Sequence, residues 1–388
     1  MKLISRVDRG LLANWWFTVD RMLLSALLVL MVIGALLSMA ASPPVAERLD
    51  VDAFYFFRRH LIYLLPSICI LVAASFMTAQ QARRVCLLMF LGGVVMMAMV
   101  LLVGAEVKGA RRWLDIGPFS VQPSEFVKPA FVVLSAWFLA DSARKGAWHG
   151  YLIATAMLAL IAGLLVLQPD YGQTILITAV WGVMLFMTGI SWTLIGAIAG
   201  LAVVGGVFAY ATGDHFASRI DRFFNKDAGD TFQVDRATDA FANGGLYGTG
   251  PGSGTVKAVI PDAHSDFVFS VAGEEFGFII CLGIVALFAF IVIRGLRHSL
   301  HAQDPFNALA IAGLVSIFGF QSFINMGVNV SLLPAKGMTL PLVSYGGSSL
   351  LAMGLGMGLM LALARRQPTG QMPNQANVVV GLAAMGRS

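Results

Sequence analysis

Long apolar runs recur along this chain, and they restrict its fold more than any other feature of the sequence. Each run contains about 20 predominantly apolar residues, the length of helix that crosses the hydrocarbon core of a bilayer. Charged residues make up 12% of the 388 residues, whereas soluble domains carry roughly 25%. A chain so poor in charge cannot cover a water-exposed surface, so we predict an all-α polytopic membrane protein.

The apolar runs predict about ten transmembrane helices. An even number of helices places both termini on one side of the membrane, which we take to be the cytoplasmic side. The predicted spans are 22–41, 61–77, 85–104, 124–141, 150–167, 173–190, 192–211, 266–293, 307–328 and 343–364.

The same pattern divides the chain into segments. Residues 1–21 are predicted to be a cytoplasmic N-terminal segment, 22–366 the transmembrane domain, and 367–388 a flexible cytoplasmic tail. The first apolar run follows a long basic and aromatic segment, unlike the short basic stretch of a cleavable signal, so we interpret it as an uncleaved anchor. A large extracytoplasmic loop, 212–265, separates helices 7 and 8. Loops longer than about 15 residues are usually functional or disordered.

The basic residues divide almost equally between the two predicted sides of the membrane. Those on the outer side concentrate in two loops, 105–122 and 212–265, against the usual bias toward the cytoplasm. They could bind an anionic ligand or contact lipid headgroups, and the sequence favours neither. The net charge of +5 is scattered rather than gathered into a patch, which argues against nucleic-acid binding.

The three cysteines, Cys69, Cys86 and Cys281, all lie inside apolar runs. They therefore form neither a disulfide framework nor a metal-binding motif. We predict that they are packing residues.

Asp266 lies where the large loop meets the eighth predicted span. It could cap that helix by accepting backbone N–H bonds, or it could act as a base. A glycine-rich segment, 244–254, precedes it. Gly250 and Gly252 could present backbone N–H groups to phosphate oxygens, although such a run is more often a flexible loop. The spacing does not match a nucleotide P-loop.

Two pairs of charged residues lie inside predicted spans. Glu274 and Glu275 should face protein or water, because carboxylates are costly in hydrocarbon, and a structural partner is at least as favoured as catalysis. Glu125 and Lys128 are three residues apart and can pair on one helix face. We interpret that pair as mainly structural.

Three amide side chains, Gln321, Asn325 and Asn329, recur every four residues and so share one helix face. Amides in membrane helices commonly form interhelical hydrogen bonds, and this interpretation is favoured over binding to sugar hydroxyls. The segment that follows, 332–349, contains two prolines and several glycines. Broken backbone at membrane depth is tolerated only against protein or a wet cavity.

Several sequence motifs, taken together and in their order along the chain, resemble the SEDS family (shape, elongation, division and sporulation) of membrane glycosyltransferases. Residues 334–337 resemble the division-type members rather than the elongation-type members, which usually carry Thr before that glycine. Asp262 departs from the pattern, because many members carry Glu there. The matching stretches, which together extend the resemblance from about residue 20 to 366, are Arg112-Trp113, Gln122 to Glu125 with Lys128, Gln168 to Asp170 with Gly172, Gly244 to Leu246, His264 to Phe267, Glu274-Glu275 with Gly277, and Leu340 to Ser349.

The resemblance implies a peptidoglycan glycosyltransferase that polymerises lipid II at the outer face of the cytoplasmic (inner) membrane, at the division septum. Asp266 matches the family's catalytic aspartate and would accept the proton of the acceptor 4-hydroxyl during inverting transfer. The candidates for binding substrate and pyrophosphate are Arg111, Arg112, Lys257, Lys336, Arg219, Gly250, Gly252, Gln321, Asn325 and Ser344. The supporting candidates are His264, Glu274, Glu275, Glu125, Lys128 and Asp170.

The resemblance also implies partners. Lipid II would be donor and acceptor, and a class B penicillin-binding transpeptidase and other division proteins would be protein partners. A divalent cation, Mg²⁺ or Mn²⁺, could share in neutralising the pyrophosphate, although the sequence has no metal motif and no organic cofactor is expected.

Three alternatives stay open. A lipid II flippase, a transporter, would also suit broken helices and buried carboxylates, with Glu274 and Glu275 as its best support. An elongation-type polymerase would use the same chemistry. A scaffold would leave Asp266 and the glycine-rich segment unexplained.

Overall fold

The computed structural model is a bundle of apolar helices with a small β-sheet at one end. It describes residues 10–365 except 108–109, 118, 191–192, 194–195, 198–199, 201–203, 206, 208–209, 212–231 and 335–336. Within these residues, seven helices are long and apolar enough to cross a membrane, and two shorter apolar helices accompany them. The prediction of an all-α polytopic membrane protein is confirmed.

The described elements follow one another in this order. The helices are α1 (Leu11–Thr18), α2 (Arg21–Arg48), α3 (Tyr55–Ser75), α4 (Ala79–Val103), α5 (Pro123–Lys145), α6 (His149–Leu167), α7 (Tyr171–Met187), α8 (Phe232–Gly244), α9 (Val268–Leu300), α10 (Pro305–Asn329) and α11 (Gly347–Leu363). An antiparallel sheet of β1 (Ala105–Val107), β2 (Ala110–Ile116) and β3 (Phe119–Val121) lies between α4 and α5.

Nine of the predicted spans coincide with α2–α7 and α9–α11, and several of these helices extend beyond the apolar run. The extensions follow from capping. For example, Thr78 and Gln81 form a capping box that starts α4 at Ala79, well before the apolar run begins, because it satisfies backbone donors at the helix start. The seventh predicted span, 192–211, lies largely outside the described residues, as do 212–231 and the 367–388 tail.

Asp20 caps α2 and links it to α9 at the end of the bundle where α2 begins. Its carboxylate accepts hydrogen bonds from the backbone N–H groups of Met22 and Leu23 and lies 2.7 Å from Arg294 Nε and 2.6 Å from His298 Nε2. Burial raises the pKa of the Asp20 carboxyl, but the hydrogen bonds outweigh burial and hold the pKa well below its usual range. Asp20 therefore connects the start of α2 to α9 through charged hydrogen bonds.

Helices α5 and α10 lie at the centre of the bundle together with the shorter α11, most of whose residues are buried. In an apolar stretch of 18 residues, 72% are buried in α5 and in α10, compared with 28% in α3, α4, α6 and α9. The outer helices expose apolar side chains instead, as expected of surfaces that face lipid. Any polar group on α5 or α10 must therefore find its partners inside the protein.

Glycines on α11 allow close packing against α3. A Cβ atom added at Gly354 would lie 2.9 Å from Ser67 O, and one at Gly358 would lie 2.8 Å from Ala74 Cβ. Small residues four apart are a common means of helix contact in membranes, because van der Waals packing is the main attraction there. The packing prediction holds for two cysteines, since Cys86 and Cys281 are buried, but it is wrong for the exposed Cys69.

The bundle has two different ends. We call the end that carries residues 49–54, 104–107, 110–117, 119–122, 168–170, 232–267, 330–334 and 337–346 the loop end. Direct bonds join these segments: Arg48 donates to Ile260 O at 2.9 Å, and Tyr345 N donates to His264 O at 3.1 Å. The opposite end has short turns at 76–78, 146–148 and 301–304. The sheet at the loop end was not predicted from the sequence.

Candidate functional site

Asp266 lies at the loop end, partly exposed, in the segment that leads into α9. Helix α9 begins at Val268 with Phe267 at the N-cap position, so Asp266 precedes the cap rather than occupying the first turn. A Cβ atom added at Gly337 would lie 3.6 Å from Asp266 Oδ2. The carboxylate therefore lies beside a residue that has no side chain, at the edge of the broken segment before α11.

Aromatic rings hold the Asp266 segment against its neighbours. The His264 ring lies 4.2 Å from the Phe56 ring of α3 and 5.3 Å from the Tyr345 ring, measured between centroids. Burial raises the pKa of the Tyr345 phenol, so it stays neutral at physiological pH. Phe56 and Tyr345 were missed by sequence reasoning, because their role depends on contacts between distant segments.

The three amides of α10 contact the Asp266 segment or the broken segment before α11, and all three form hydrogen bonds with protein groups. Gln321 Nε2 donates to Thr339 O at 3.1 Å. Asn325 and Asn329 each donate to the main-chain oxygen of Asp266, at 2.8 and 3.0 Å. These bonds match the favoured interpretation as structural amides. Sugar binding by Gln321 and Asn325 stays a prediction.

The glycine-rich segment folds back on the start of α9. Gly250 N donates to Glu275 O at 3.1 Å. The Glu274 carboxylate accepts hydrogen bonds from Asn243 Nδ2 and from the backbone N–H groups of Val256 and Lys257, at 2.7 to 2.9 Å. Glu274 therefore has the structural partners that the sequence suggested. Gly252 is exposed, and its predicted contact with phosphate stays a prediction.

Lys257 is buried and ion-paired with Glu275. Its ammonium also donates to Ala40 O of α2 at 3.1 Å. Pro44 lies four residues after Ala40 and has no N–H, so it leaves that carbonyl without its helical partner. Lys257 thus supplies the hydrogen bond that this carbonyl lacks. To bind a phosphate, Lys257 would have to break its ion pair with Glu275.

A kink at Gly277 makes room for the glycine-rich segment. Gly277 has φ 79°, and a Cβ atom there would lie 2.5 Å from Leu246 O. We expect Gly277→Ala to lower the melting temperature of the purified protein, because a positive φ combined with the ψ of 176° at Gly277 is essentially restricted to glycine and costs other residues about 1–3 kcal/mol. Thermal unfolding in detergent, followed by size-exclusion chromatography, measures the effect.

Gly283→Ala is the matched control for that prediction. It lies on the same helix, and an added Cβ meets no atom within 4 Å. Gly283→Ala should leave the melting temperature unchanged or raise it slightly, because alanine is the better helix former. Equal melting temperatures for the two variants would contradict the close approach at Gly277.

Glu125 and Lys128 form a buried cluster in the first turns of α5. Lys128 Nζ lies 2.9 Å from Glu125 Oε1, 2.9 Å from Gln173 Oε1 and 3.1 Å from Gln321 Oε1. Gln173 Nε2 donates back to Glu125 at 2.8 Å. The predicted pair on one helix face is confirmed. The cluster joins α5, α7 and α10, and Gln321 extends it to Thr339.

The two arginines of β2 differ in their surroundings, as expected for consecutive residues that point to opposite faces of a strand. Arg111 is exposed and lies 3.5 Å from Glu106. Arg112 donates to the main-chain oxygens of Gln168 and Pro169 and lies 3.8 Å from Asp170. Burial raises the pKa of the Asp170 carboxyl in spite of that arginine. Arg112 therefore anchors the turn between α6 and α7.

The remaining candidates complete the description. Ser344 is buried, and its Oγ accepts a hydrogen bond from Leu340 N at 2.8 Å, which closes the turn before α11. Arg219 and Lys336 lie outside the described residues. In the described part of the chain, no three His, Cys, Asp or Glu side chains converge into a metal-binding group.

Fold and site together define a polytopic helical membrane protein whose described candidate groups lie at or near one end of the bundle, the end that carries Asp266. The family model FtsW/RodA/SpoVE, described as "Cell cycle protein", matches residues 20–368. The chain belongs to this family.

Relatives with similar sequences carry one name, "Probable peptidoglycan glycosyltransferase FtsW". The protein of Caulobacter vibrioides (strain NA1000 / CB15N) is 42% identical over 365 residues, which cover 94% of each chain. The protein of Geobacter metallireducens is 34% identical over 358 residues, covering 89% of this chain and 95% of the relative.

Solved structures share the fold. One belongs to a study titled "Structural coordination of polymerization and crosslinking by a peptidoglycan synthase complex". It matches with a TM-score of 0.74 at 25% identity and covers 90% of this chain and 98% of its own. The rod shape determining protein RodA of Thermus thermophilus matches with a TM-score of 0.68 at 25% identity, covering 91% and 99%.

Proposed function

We propose that this protein is a peptidoglycan glycosyltransferase that polymerises lipid II into glycan strands during cell division. The observation that carries the proposal is the distribution of buried charge. Asp20, whose side chain is 8% exposed, lies at the opposite end of the bundle, but the eight other buried charged or histidine side chains among the described residues lie at the loop end or within about two helical turns of it. These side chains are His60, Glu125, Lys128, Asp170, Lys257, His264, Glu274 and Glu275.

Asp266 would act as the general base of this reaction. A carboxylate placed within hydrogen-bond reach of a hydroxyl can accept its proton in the transition state. It would take the proton of the acceptor sugar's 4-hydroxyl as that oxygen bonds to C1 of the donor. The bond between C1 and the pyrophosphate oxygen breaks, C1 is inverted, and undecaprenyl pyrophosphate leaves.

The departing pyrophosphate needs positive charge nearby. Arg111 is the best placed of the described candidates, because it is exposed and its partner Glu106 is also exposed. Arg112 and Lys257 would first have to leave their internal partners. If a divalent cation, Mg²⁺ or Mn²⁺, shares this task, Asp266 would be a candidate carboxylate ligand, and the cation would supply positive charge to the leaving group.

The setting of this reaction follows from the family. We propose that the chain lies in the cytoplasmic membrane with both termini in the cytoplasm and the loop end outside, and that it works at the division septum. Its partner would be a class B penicillin-binding transpeptidase, since a structural relative comes from a complex that couples polymerisation with crosslinking. The relatives named FtsW favour the division role over an elongation role.

A lipid II flippase is the second candidate, and the charge distribution argues against it. A transport path requires polar groups near the middle of the membrane. Glu274 and Glu275, which best supported that alternative, are bonded to the glycine-rich segment and Lys257 at the loop end.

The experiment that separates the two functions uses purified protein in detergent, where no membrane is left to cross. We expect incubation with lipid II and a divalent cation to produce glycan polymers, resolved by gel electrophoresis. A parallel reaction contains the transpeptidase partner. Absence of polymer in both reactions from correctly folded protein would contradict the proposed function.

A further inference from the structure

The start of α9 departs from regular helical hydrogen bonding at Asp266. In an α-helix the N–H of residue i bonds to the carbonyl of residue i−4, so Ser270 N–H would be the partner of Asp266 O. Instead, Ser270 N donates to Phe267 O at 3.1 Å and to Asn329 Oδ1 at 3.0 Å. Asp266 O is thereby left outside the helical pattern.

The side-chain amide of Asn329 takes the place of the missing helical bond. Its Oδ1 accepts from Ser270 N and, at 2.7 Å, from Ser270 Oγ. Its Nδ2 donates to Asp266 O at 3.0 Å. A carboxamide has the same donor and acceptor groups as a peptide, so Asn329 satisfies both ends of the bond without letting the helix close.

Asn325, one turn earlier on α10, joins Asp266 to the opposite side of the site. Its Nδ2 donates to Asp266 O at 2.8 Å and to Met338 O at 2.6 Å. Met338 follows Gly337, the residue beside the Asp266 carboxylate. One buried amide therefore fixes the main chain of Asp266 relative to the segment that its carboxylate faces.

We propose that Asn329 and Asn325 are positioning residues that keep Asp266 out of α9 and hold its carboxylate beside Gly337. Asp266 O keeps the Asn325 donor when the Asn329 amide is removed, but a carbonyl oxygen can accept two hydrogen bonds. Ser270 N–H can then take the second position on Asp266 O, which extends the helix by one residue or more and turns the carboxylate. This inference rests on the proposed function, in which Asp266 is the base. A displacement of about 1 Å can lower a rate roughly 100-fold.

The test compares Asn329→Ala and Asn325→Ala with the wild-type protein, using initial polymerisation rates over a range of lipid II concentrations. We expect kcat to fall about 10- to 100-fold with KM within about threefold, because the reacting group moves while the substrate contacts remain. Ser322→Ala is the matched control. It is buried on the same helix, its Oγ bonds to Phe318 O at 2.6 Å, and its kcat should equal that of the wild type.

Two further measurements separate positioning from simple stability. The acidic limb of the kcat–pH profile should shift in the Asn variants, because Asp266 enters a new environment. A purely structural role would lower the active fraction and leave the profile unchanged, and that result would overturn the inference. If Asn329→Ala does not fold, Asn329→Asp carries the test, because it keeps an acceptor for Ser270 but lacks the Nδ2 donors.

Other outcomes also decide the matter. A folded Asn329 variant with wild-type kcat would overturn the inference, and a raised KM with unchanged kcat would assign the amides to sugar binding instead. These failures differ from failure of the proposed function, in which the wild-type protein itself makes no polymer.

Discussion

Replacing Asp266 by Asn should abolish polymerisation while leaving the protein folded. The amide has nearly the same shape as the carboxylate, but it cannot accept the proton of the acceptor hydroxyl. General-base catalysis typically contributes about 10²- to 10⁴-fold to a rate, so the loss should fall in that range. The measurement is the rate of glycan strand synthesis by purified protein, with the amount of folded protein determined by size-exclusion chromatography.

Asp262→Asn is the matched control for that substitution. Asp262 lies four residues earlier in the same segment with φ 55°, and Asn tolerates the left-handed conformation as Asp does. We expect its rate to stay within about threefold of the wild type, since this change corresponds to less than 1 kcal/mol. An Asp266→Asn protein that keeps more than half of the wild-type rate would contradict the assignment of the base.

Replacing Lys128 by Met should strongly destabilise the protein. The change leaves the buried carboxylate of Glu125 without its ion pair and removes the donor to Gln173 and Gln321. Breaking a buried ion pair by removing one partner typically costs about 3–5 kcal/mol. Thermal unfolding of the purified protein in detergent should therefore show a much lower melting temperature.

Lys145→Met is the control for Lys128→Met. Lys145 pairs with Asp141 at 2.9 Å near the other end of α5, but both side chains are more than half exposed. An exposed pair contributes about 0–1 kcal/mol, so this variant should unfold close to the wild-type temperature. The double variant Lys128→Met with Glu125→Gln should recover part of the lost stability, because no unpaired charge remains. Similar melting temperatures for the two lysine variants would contradict the buried cluster.

The helical architecture could be predicted from the sequence because the bilayer fixes the length of a span. The apolar runs located nine of the described helices, and their ends differed where capping groups such as Thr78 extend the helix. The sheet at 105–121 could not be predicted in the same way. Its strands of three to seven residues depend on pairing with one another, which no local pattern reveals.

The candidate site was predictable where the partners are close in sequence or share a helix face. Glu125 and Lys128 pair as their spacing indicated, and the amides of α10 share one face as their period required. The partners of those amides could not be predicted, because they are main-chain oxygens of distant segments. The partners of Lys257 could not be predicted either. Lys257 pairs with Glu275 and donates to Ala40 O, the carbonyl that Pro44 leaves without a helical partner in α2.

The most direct test of a base at the loop end separates substrate binding from turnover in the Asp266→Asn protein. Lipid II is added to the purified variant in nanodiscs, and both bound lipid II and released undecaprenyl pyrophosphate are measured. The predicted result is binding equal to that of the wild type with no pyrophosphate lipid released. Release at the wild-type rate would contradict the role of this carboxylate and return the search for the reacting group to the rest of the loop end.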